Sequence, residues 1–286
     1  MGEKLFETMC GIGLVNALRR AVFRPVLLSA TLALFGMAAQ GEASCRVALA
    51  LGLDVSDLVD GAEYRLQLDG LASALTRPEV VAAFLADPEA EVRMFVYEWA
   101  GADSQRRSID WSVVRSAADL QAVAETLRLR PRIELVPSTG LGEAMLYGVA
   151  ALSAQPDCHR HVLDISGDGK SNAGVLPRDL SSDALGGVTV NGLVVGTRGI
   201  FSGEQWWTEI TDVHEYYTTD VIRGPGAFAM TATSYSDFED AMARKLLREL
   251  QSFALARPLH VPVCAPAGGK GSLDAWQVGD RLRKMC

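Results

Sequence analysis

Leu49-Ala50-Leu51-Gly52-Leu53-Asp54-Val55-Ser56-Asp57-Leu58-Val59-Asp60 is an apolar run that ends in a burst of carboxylates and hydroxyls. Apolar side chains at odd and even positions alike predict a strand buried on both faces, as in a parallel sheet. In open parallel sheets the chemistry lies just beyond the carboxyl ends of the strands. The stretch therefore puts Asp54, Ser56, Asp57 and Asp60 on a functional rim, and the remaining segments are expected to bring partners to it.

Strand and helix signals alternate on either side. Arg46–Leu53 reads as the first strand, and Asp60-Gly-Ala-Glu63 as a capping box that opens a helix with Tyr64, Leu68, Leu71 and Leu75 on one face. Pro78 starts a second helical piece through Leu85. Val92–Trp99 is a strand, and Arg107–Val114 its antiparallel partner across the turn at Gly101. Helices are expected over Ala117–Leu129, Leu141–Ser153 and Pro177–Leu185, and strands over Arg160–Ser166, Gly187–Val195 and Ala227–Thr231. Glu204–Tyr217 reads as a helical excursion carrying Trp206, Trp207, Tyr216 and Tyr217. Ser236-Asp-Phe-Glu239 looks like a second capping box, followed by Phe238, Met242, Leu246 and Leu250 along a last helix. Repeated strand–helix units with short connections predict an α/β fold, a doubly wound, mostly parallel central sheet with helices on both faces. Residues 44–257 form this domain, and 258–286 a tail.

The first 43 residues read as a signal peptide. Lys4, Arg19, Arg20 and Arg24 precede the apolar run Val26–Ala39, which is short for a membrane span and is followed by small residues. An uncleaved membrane anchor is the competing reading. Export places the chain in a periplasmic or secreted setting, where the four cysteines beyond the leader (Cys45, Cys158, Cys264 and Cys286) suggest two disulfides with three possible connectivities. The full chain of 286 residues has a formal charge of −8. Removing residues 1–43, with four basic and three acidic side chains, leaves 23 basic and 32 acidic residues and a charge of −9. There is no basic patch to attract nucleic acid.

Three rim segments carry candidate ligands: Asp54, Ser56 and Asp57; Ser138-Thr139 at a Gly-flanked helix start; and Asp168 after a strand. All are hard oxygen donors, which suit Mg²⁺, Mn²⁺ or Ca²⁺ better than Zn²⁺. Asp54-x-Ser56, Thr139 and Asp168-Gly169 resemble the metal-ion-dependent adhesion site (MIDAS) of von Willebrand factor type A domains. That resemblance covers about residues 45–255. It implies a Rossmann-type fold, a cation held by Asp54, Ser56, Thr139 and Asp168, and a partner protein whose exposed carboxylate completes the metal shell. The Asp-Val-Ser loop, Glu98-Trp99, Asp164–Gly169 and Gly224–Phe228 together resemble a narrower group of exported bacterial proteins built on a domain of unknown function. One position departs from the adhesion-site pattern: Leu58 stands where the loop's second serine belongs, and leucine cannot coordinate. The resembled fold also makes the strands before Asp54 and Asp168 neighbours, with Cys45 and Cys158 at their amino ends, where a bridge is expected. Cys264 and Cys286 would then tie the tail.

Two alternatives stand beside this reading. One is the same fold with a degenerate site that holds no metal and works as a structural or interaction domain. The other is a haloacid-dehalogenase-like phosphatase, which Gly167-Asp168-Gly169-x-x-Asn172 resembles. That chemistry needs an acid two residues after the nucleophile, and Ser56 occupies the position. His159 and His161, two lone histidines without an acidic partner, read as surface residues, His214 and His260 are isolated, no Gly-x-Ser-x-Gly elbow occurs, and Gly140-x-Gly142 is too short for a dinucleotide fingerprint. A non-enzymatic module is therefore expected. The four aromatics of the excursion are expected to pack as core or edge, with a partner-binding patch as the alternative.

Overall fold

The computed structural model describes residues 44–56, 59–133, 136–196 and 204–251. Residues 1–43, expected as a signal peptide, the expected Cys264–Cys286 tie of the tail, and Asp57 and Leu58 lie outside these residues. Six strands, β1 (Ser44–Asp54), β2 (Ala90–Trp99), β3 (Gln105–Val114), β4 (His161–Gly167), β5 (Thr189–Val195) and β6 (Ala229–Ala232), form one sheet in the order β3-β2-β1-β4-β5-β6. Every pairing is parallel except β2 with β3. The helices are α1 (Gly61–Leu75), α2 (Pro78–Phe84), α3 (Ala117–Leu129), α4 (Leu141–Ser153), α5 (Glu204–Tyr216) and α6 (Phe238–Gln251).

The opening stretch forms the middle of this sheet. Val47, Leu49, Leu51 and Leu53 face one core with residues of α1, α2, α3 and α6. Ala48 and Ala50 face the other, with residues of α4 and α5. Small side chains on that second face let α4 come close: Tyr97 donates its hydroxyl to the Ala144 carbonyl at 2.6 Å, and a Cβ on Gly148 would meet Leu163 at 2.4 Å. After β1 the chain builds outward through β2 and β3, then crosses back over α4 to start β4 on the other flank of β1. The strand order reverses between β1 and β4, which is where a doubly wound sheet opens a crevice at its carboxyl edge.

Cys45 and Cys158 are bonded, with Cα atoms 4.4 Å apart, and the His159 N–H donates to the Cys45 carbonyl at 2.9 Å. The bond pins β1 to the approach to β4 at the amino edge. It spans 113 residues, so the chain-entropy account gives it about 4–5 kcal/mol.

The expected helix Pro177–Leu185 is corrected to a single 3₁₀ turn, Pro177–Asp179, followed by turns. Gly186 and Gly187 both have positive φ there, a conformation that ends any helix. The first capping box forms as expected: Asp60 Oδ1 accepts from the Ala62 and Glu63 N–H groups, and Glu63 Oε2 accepts from the Asp60 N–H. The second is replaced. A 3₁₀ turn, Tyr235–Asp237, leads into α6, Ser236 Oγ bonds Ser234 Oγ at 2.6 Å, and the Glu239 carboxylate takes the Arg77 guanidinium of α2's entry. A long-range ion pair has captured the residue that local geometry assigned to the cap. Among the described residues no helix is long and apolar enough to cross a membrane.

Candidate metal centre

At the carboxyl edge of β1, the Asp54 carbonyl accepts from the Gln67 side chain of α1 at 2.9 Å, and the Val55 N–H donates to the Trp99 carbonyl at 2.9 Å. These bonds hold the strand end in place before the loop begins. Asp54 Oδ1 then turns back to accept the Ser56 N–H at 2.8 Å, which directs the Ser56 side chain beside Thr139: the two hydroxyl oxygens are 3.4 Å apart. Asp168 enters from the turn after β4, close enough for its charge to act on Asp54. The structure thus brings Asp54, Ser56, Thr139 and Asp168 together at the reversal point, and all four are buried.

Thr139 has its own support. Its N–H donates to Asn172 Oδ1 at 2.8 Å, and its carbonyl accepts from the Asn172 N–H at 2.9 Å and the Ser171 hydroxyl at 3.1 Å. The loop after β4 therefore holds both Asp168 and Thr139. Ser171 and Asn172 have a positioning role that the motif reading did not assign. Two tyrosines also reach this region. Tyr235 donates to Asp168 Oδ2 at 3.3 Å. Tyr217 is fully buried, with its hydroxyl above Gly167. Both arrive from segments that follow β5, far from the motif in sequence, so no spacing rule points to them.

The electrostatics are unfavourable for the acids alone. Burial, then the neighbouring Asp168 charge, pushes Asp54 well above the usual carboxylate range, against opposing hydrogen bonds from Ser56. Burial raises Asp168 to about 6, although the Tyr235 hydroxyl favours its charged form. Asp54 Oδ2 and Asp168 Oδ1 are buried with no hydrogen-bond partner. A divalent cation would neutralise both charges and satisfy both orphaned oxygens, and the donor set of carboxylates and hydroxyls is one that hard cations accept. Among the described residues no three His, Cys, Asp or Glu side chains gather as a metal-binding group. This rim offers two carboxylates, so two of its four donors are neutral hydroxyls.

Other candidates go elsewhere. His161 Nε2 lies 2.8 Å from the Gln155 carbonyl and His214 Nδ1 2.9 Å from the Thr231 hydroxyl, and neither reaches the rim. Lys170, two residues after Asp168, pairs with Asp212 at 2.6 Å. The aromatic cluster divides: Tyr217 is core, while Trp207 is 59% exposed and meets Trp206 edge-on with ring centroids 4.5 Å apart.

With this geometry in view, solved structures give the fold a wider setting. The pilus adhesin SpaC from Lactobacillus rhamnosus GG superposes with a TM-score of 0.51 at 12% identity, over 73% of this chain and 31% of that one. The vWF domain of the type V pili tip protein Mfa5 from Porphyromonas gingivalis is similar over 73% of this chain and 97% of its own, at 10% identity and a TM-score of 0.46. Proximal thread matrix protein 1 from the mussel byssus, in a form with a zinc-occupied MIDAS motif, matches at 16% identity and a TM-score of 0.46, over 73% of this chain and 48% of that one. The chain spans less than half of the SpaC and mussel chains. No curated protein matches it. The architecture is that of von Willebrand factor type A domains, a six-stranded, mostly parallel α/β sheet of Rossmann type. The family model described as protein of unknown function DUF1194 matches residues 44–254, and the chain belongs to that family.

Proposed function

We propose that this chain is an exported, non-enzymatic binding module in which Asp54, Ser56, Thr139 and Asp168 hold one divalent cation, Mg²⁺ or the related Mn²⁺ or Ca²⁺. The cation bridges to a carboxylate exposed on a partner protein. One observation carries the reading. Six acids are buried among the described residues: Asp54, Glu91, Glu98, Asp164, Asp168 and Glu249. Glu91 pairs with Arg93 and Arg115, Glu98 with Arg106 and Arg130, and Asp164 and Glu249 with Lys245. Asp54 and Asp168 alone have no Lys or Arg partner among the described residues. Burying charge with no cationic partner is costly, so a fold that gives each of its other buried acids a basic partner leaves these two for a cation from outside. The charge of the mature chain and the absence of a basic patch support a protein partner over nucleic acid.

The rival reading, a site that holds no metal, is favoured by Leu58, which removes one hydroxyl ligand. Calorimetric titration of the protein with Mg²⁺ and Mn²⁺ decides between them. Binding heat in the wild type that disappears in Asp168→Ala supports the cation site. No heat in the wild type leaves the fold as an interaction domain without metal. The phosphatase reading finds no acid at position 56, and turnover of a generic phosphate ester that Asp54→Asn abolishes would be needed to restore it.

A further inference from the structure

Tyr217 is buried deep in the sheet's second core, and its hydroxyl has no hydrogen-bond partner. An unpaired buried hydroxyl is normally destabilising, so its position calls for a reason. Three features of the chain place it there. Helix α5 ends in a π-helical turn, Tyr217–Val221, closed by the Ile222 N–H donating to the Tyr217 carbonyl at 3.0 Å. Such turns are rare and concentrate at functional sites. Tyr217 continues the buried face of α5 after Ile210 and Val213, while Tyr216 stays half-buried beside Lys170 and the Ser171 N–H. Two glycines then admit the ring. A Cβ on Gly192 of β5 would stand 2.6 Å from the Tyr217 ring, and one on Gly167 of β4 would stand 2.6 Å from its hydroxyl. The same point on Gly167 is 2.9 Å from Asp54 Oδ2, which is also buried and unpaired. Two orphaned oxygens thus both lie within 3 Å of the point that a side chain at position 167 would fill.

We propose that Tyr217 is a positioning residue of the cation site: when Asp54 is charged and holds the cation, the Tyr217 hydroxyl across Gly167 donates to the second lone pair of Asp54 Oδ2 and so orients the carboxylate. This inference rests on the cation reading above. Partners of this kind, which hydrogen-bond a metal's own ligand, typically change metal affinity by about 10–100-fold. The competing account is that Tyr217 is only packing. Removing an unpaired buried hydroxyl would then stabilise the fold and leave the site untouched.

Tyr217→Phe keeps the ring and removes the hydroxyl. In the full-length protein it is titrated with Mg²⁺ and Mn²⁺ by calorimetry, with thermal unfolding in chelator followed in parallel. Tyr216→Phe, in which a half-buried neighbouring hydroxyl is removed, serves as the control. The expected result is at least a tenfold loss of affinity in Tyr217→Phe, a chelated protein that melts within a few degrees of wild type, and an unchanged Tyr216→Phe. Tyr217→Phe binding within twofold of wild type overturns the proposal while the cation site stands. Equal losses in both variants also overturn it, because they show a general loosening of the α5 end. No heat from the wild type overturns the cation reading first, and this inference with it.

Discussion

Asp164 and Asp168 are four residues apart on the same strand and its following turn, and both are buried, yet their surroundings are opposite. Asp164 faces α6, where the fully buried Lys245 reaches its carboxylate at 2.7 Å and Glu249 at 2.7 Å. Asn191 of β5 completes that cluster by donating to Glu249 at 2.8 Å while its own oxygen accepts from the Phe228 N–H at 3.2 Å. Asp168, at the rim, meets a second carboxylate, hydroxyls and backbone, with no cationic side chain. The inner cluster carries its own cation, which ties α6 to the sheet, although Asp164 Oδ1 and Glu249 Oε2 are buried without a hydrogen-bond partner there too. The rim carries two acids and no cationic side chain, so what sets it apart is the missing positive charge and not its orphaned oxygens. The fold is thus able to compensate buried acids, and the rim acids are an exception to its own pattern.

The largest effect should come from breaking the inner cluster. Lys245→Met retains the stem and removes the charge, leaving Asp164 and Glu249 buried with no counter-ion between them. Breaking a buried pair from one side typically costs about 3–5 kcal/mol. For a domain of this size that lowers the melting temperature by roughly 10 °C. A loss under about 1 kcal/mol in thermal or urea unfolding would mean that Lys245 is not what compensates these acids, and the comparison would fail.

The opposite sign is expected at the rim. In chelator, Asp54→Asn removes a charge that the fold cannot pair, and the protein should gain roughly 1–3 kcal/mol. The same variant should lose its melting shift on adding Mg²⁺. If Asp54→Asn destabilises the chelated protein instead, the rim is compensated by something other than a cation from outside.

The pH dependence follows from the same acids. Asp168 has a folded value of about 6, above the ordinary 3.8, so the folded state binds the proton more tightly than the unfolded chain. Its contribution is fully present below about pH 4 and is lost as pH rises through about 6. The shift corresponds to roughly 3 kcal/mol. Asp164, raised to about 7 by burial against the attraction of Lys245, acts in the same direction and extends the loss to higher pH. Chelated wild type should therefore lose stability between about pH 4 and 7, and saturating Mg²⁺ should flatten the part due to Asp168. Melting curves across that range with and without Mg²⁺ test this. A Mg²⁺ effect equal at every pH would separate the cation from these acids.

The sequence made the two clusters unequally legible. Asp54, Ser56, Thr139 and Asp168 lie at strand ends and helix starts, where topology alone directs them to one edge. The first strand and the capping box at Asp60 are legible because local pattern sets them, whereas the Cys45–Cys158 bridge is legible only through the resembled fold, which makes the strands before Asp54 and Asp168 neighbours. The inner cluster was not readable. Lys245, Glu249 and Asn191 fall on a helix and a strand that read as ordinary amphipathic or apolar segments, and only packing shows which polar side chains turn inward. Tyr217 belongs to an aromatic cluster in the sequence and follows Ile210 and Val213 at helical spacing, so its burial is regular; that its hydroxyl lies near Asp54 depends on the glycines at 167 and 192, which periodicity does not show. The Ser236–Glu239 box failed for a related reason, since Arg77 arrives from a distant helix entry to claim Glu239.

The smallest effect distinguishes a ligand from its support. Asn172 holds Thr139 from two sides, accepting the Thr139 N–H through its side chain and donating its own N–H to the Thr139 carbonyl. Asn172→Ala removes only the first of these, and the Ser171 hydroxyl remains on the carbonyl. Loss of one such hydrogen bond costs about 1 kcal/mol of stability. The Thr139 hydroxyl, however, is set by the backbone that Asn172 fixes, so a cation that uses this oxygen should bind several-fold more weakly in the variant. Calorimetry and melting curves on the same sample give both quantities. A stability loss with unchanged affinity would mean that Thr139 borders the cation without holding it. The rim cluster would then reduce to Asp54, Ser56 and Asp168, with the Leu58 deficit joined by a second missing hydroxyl.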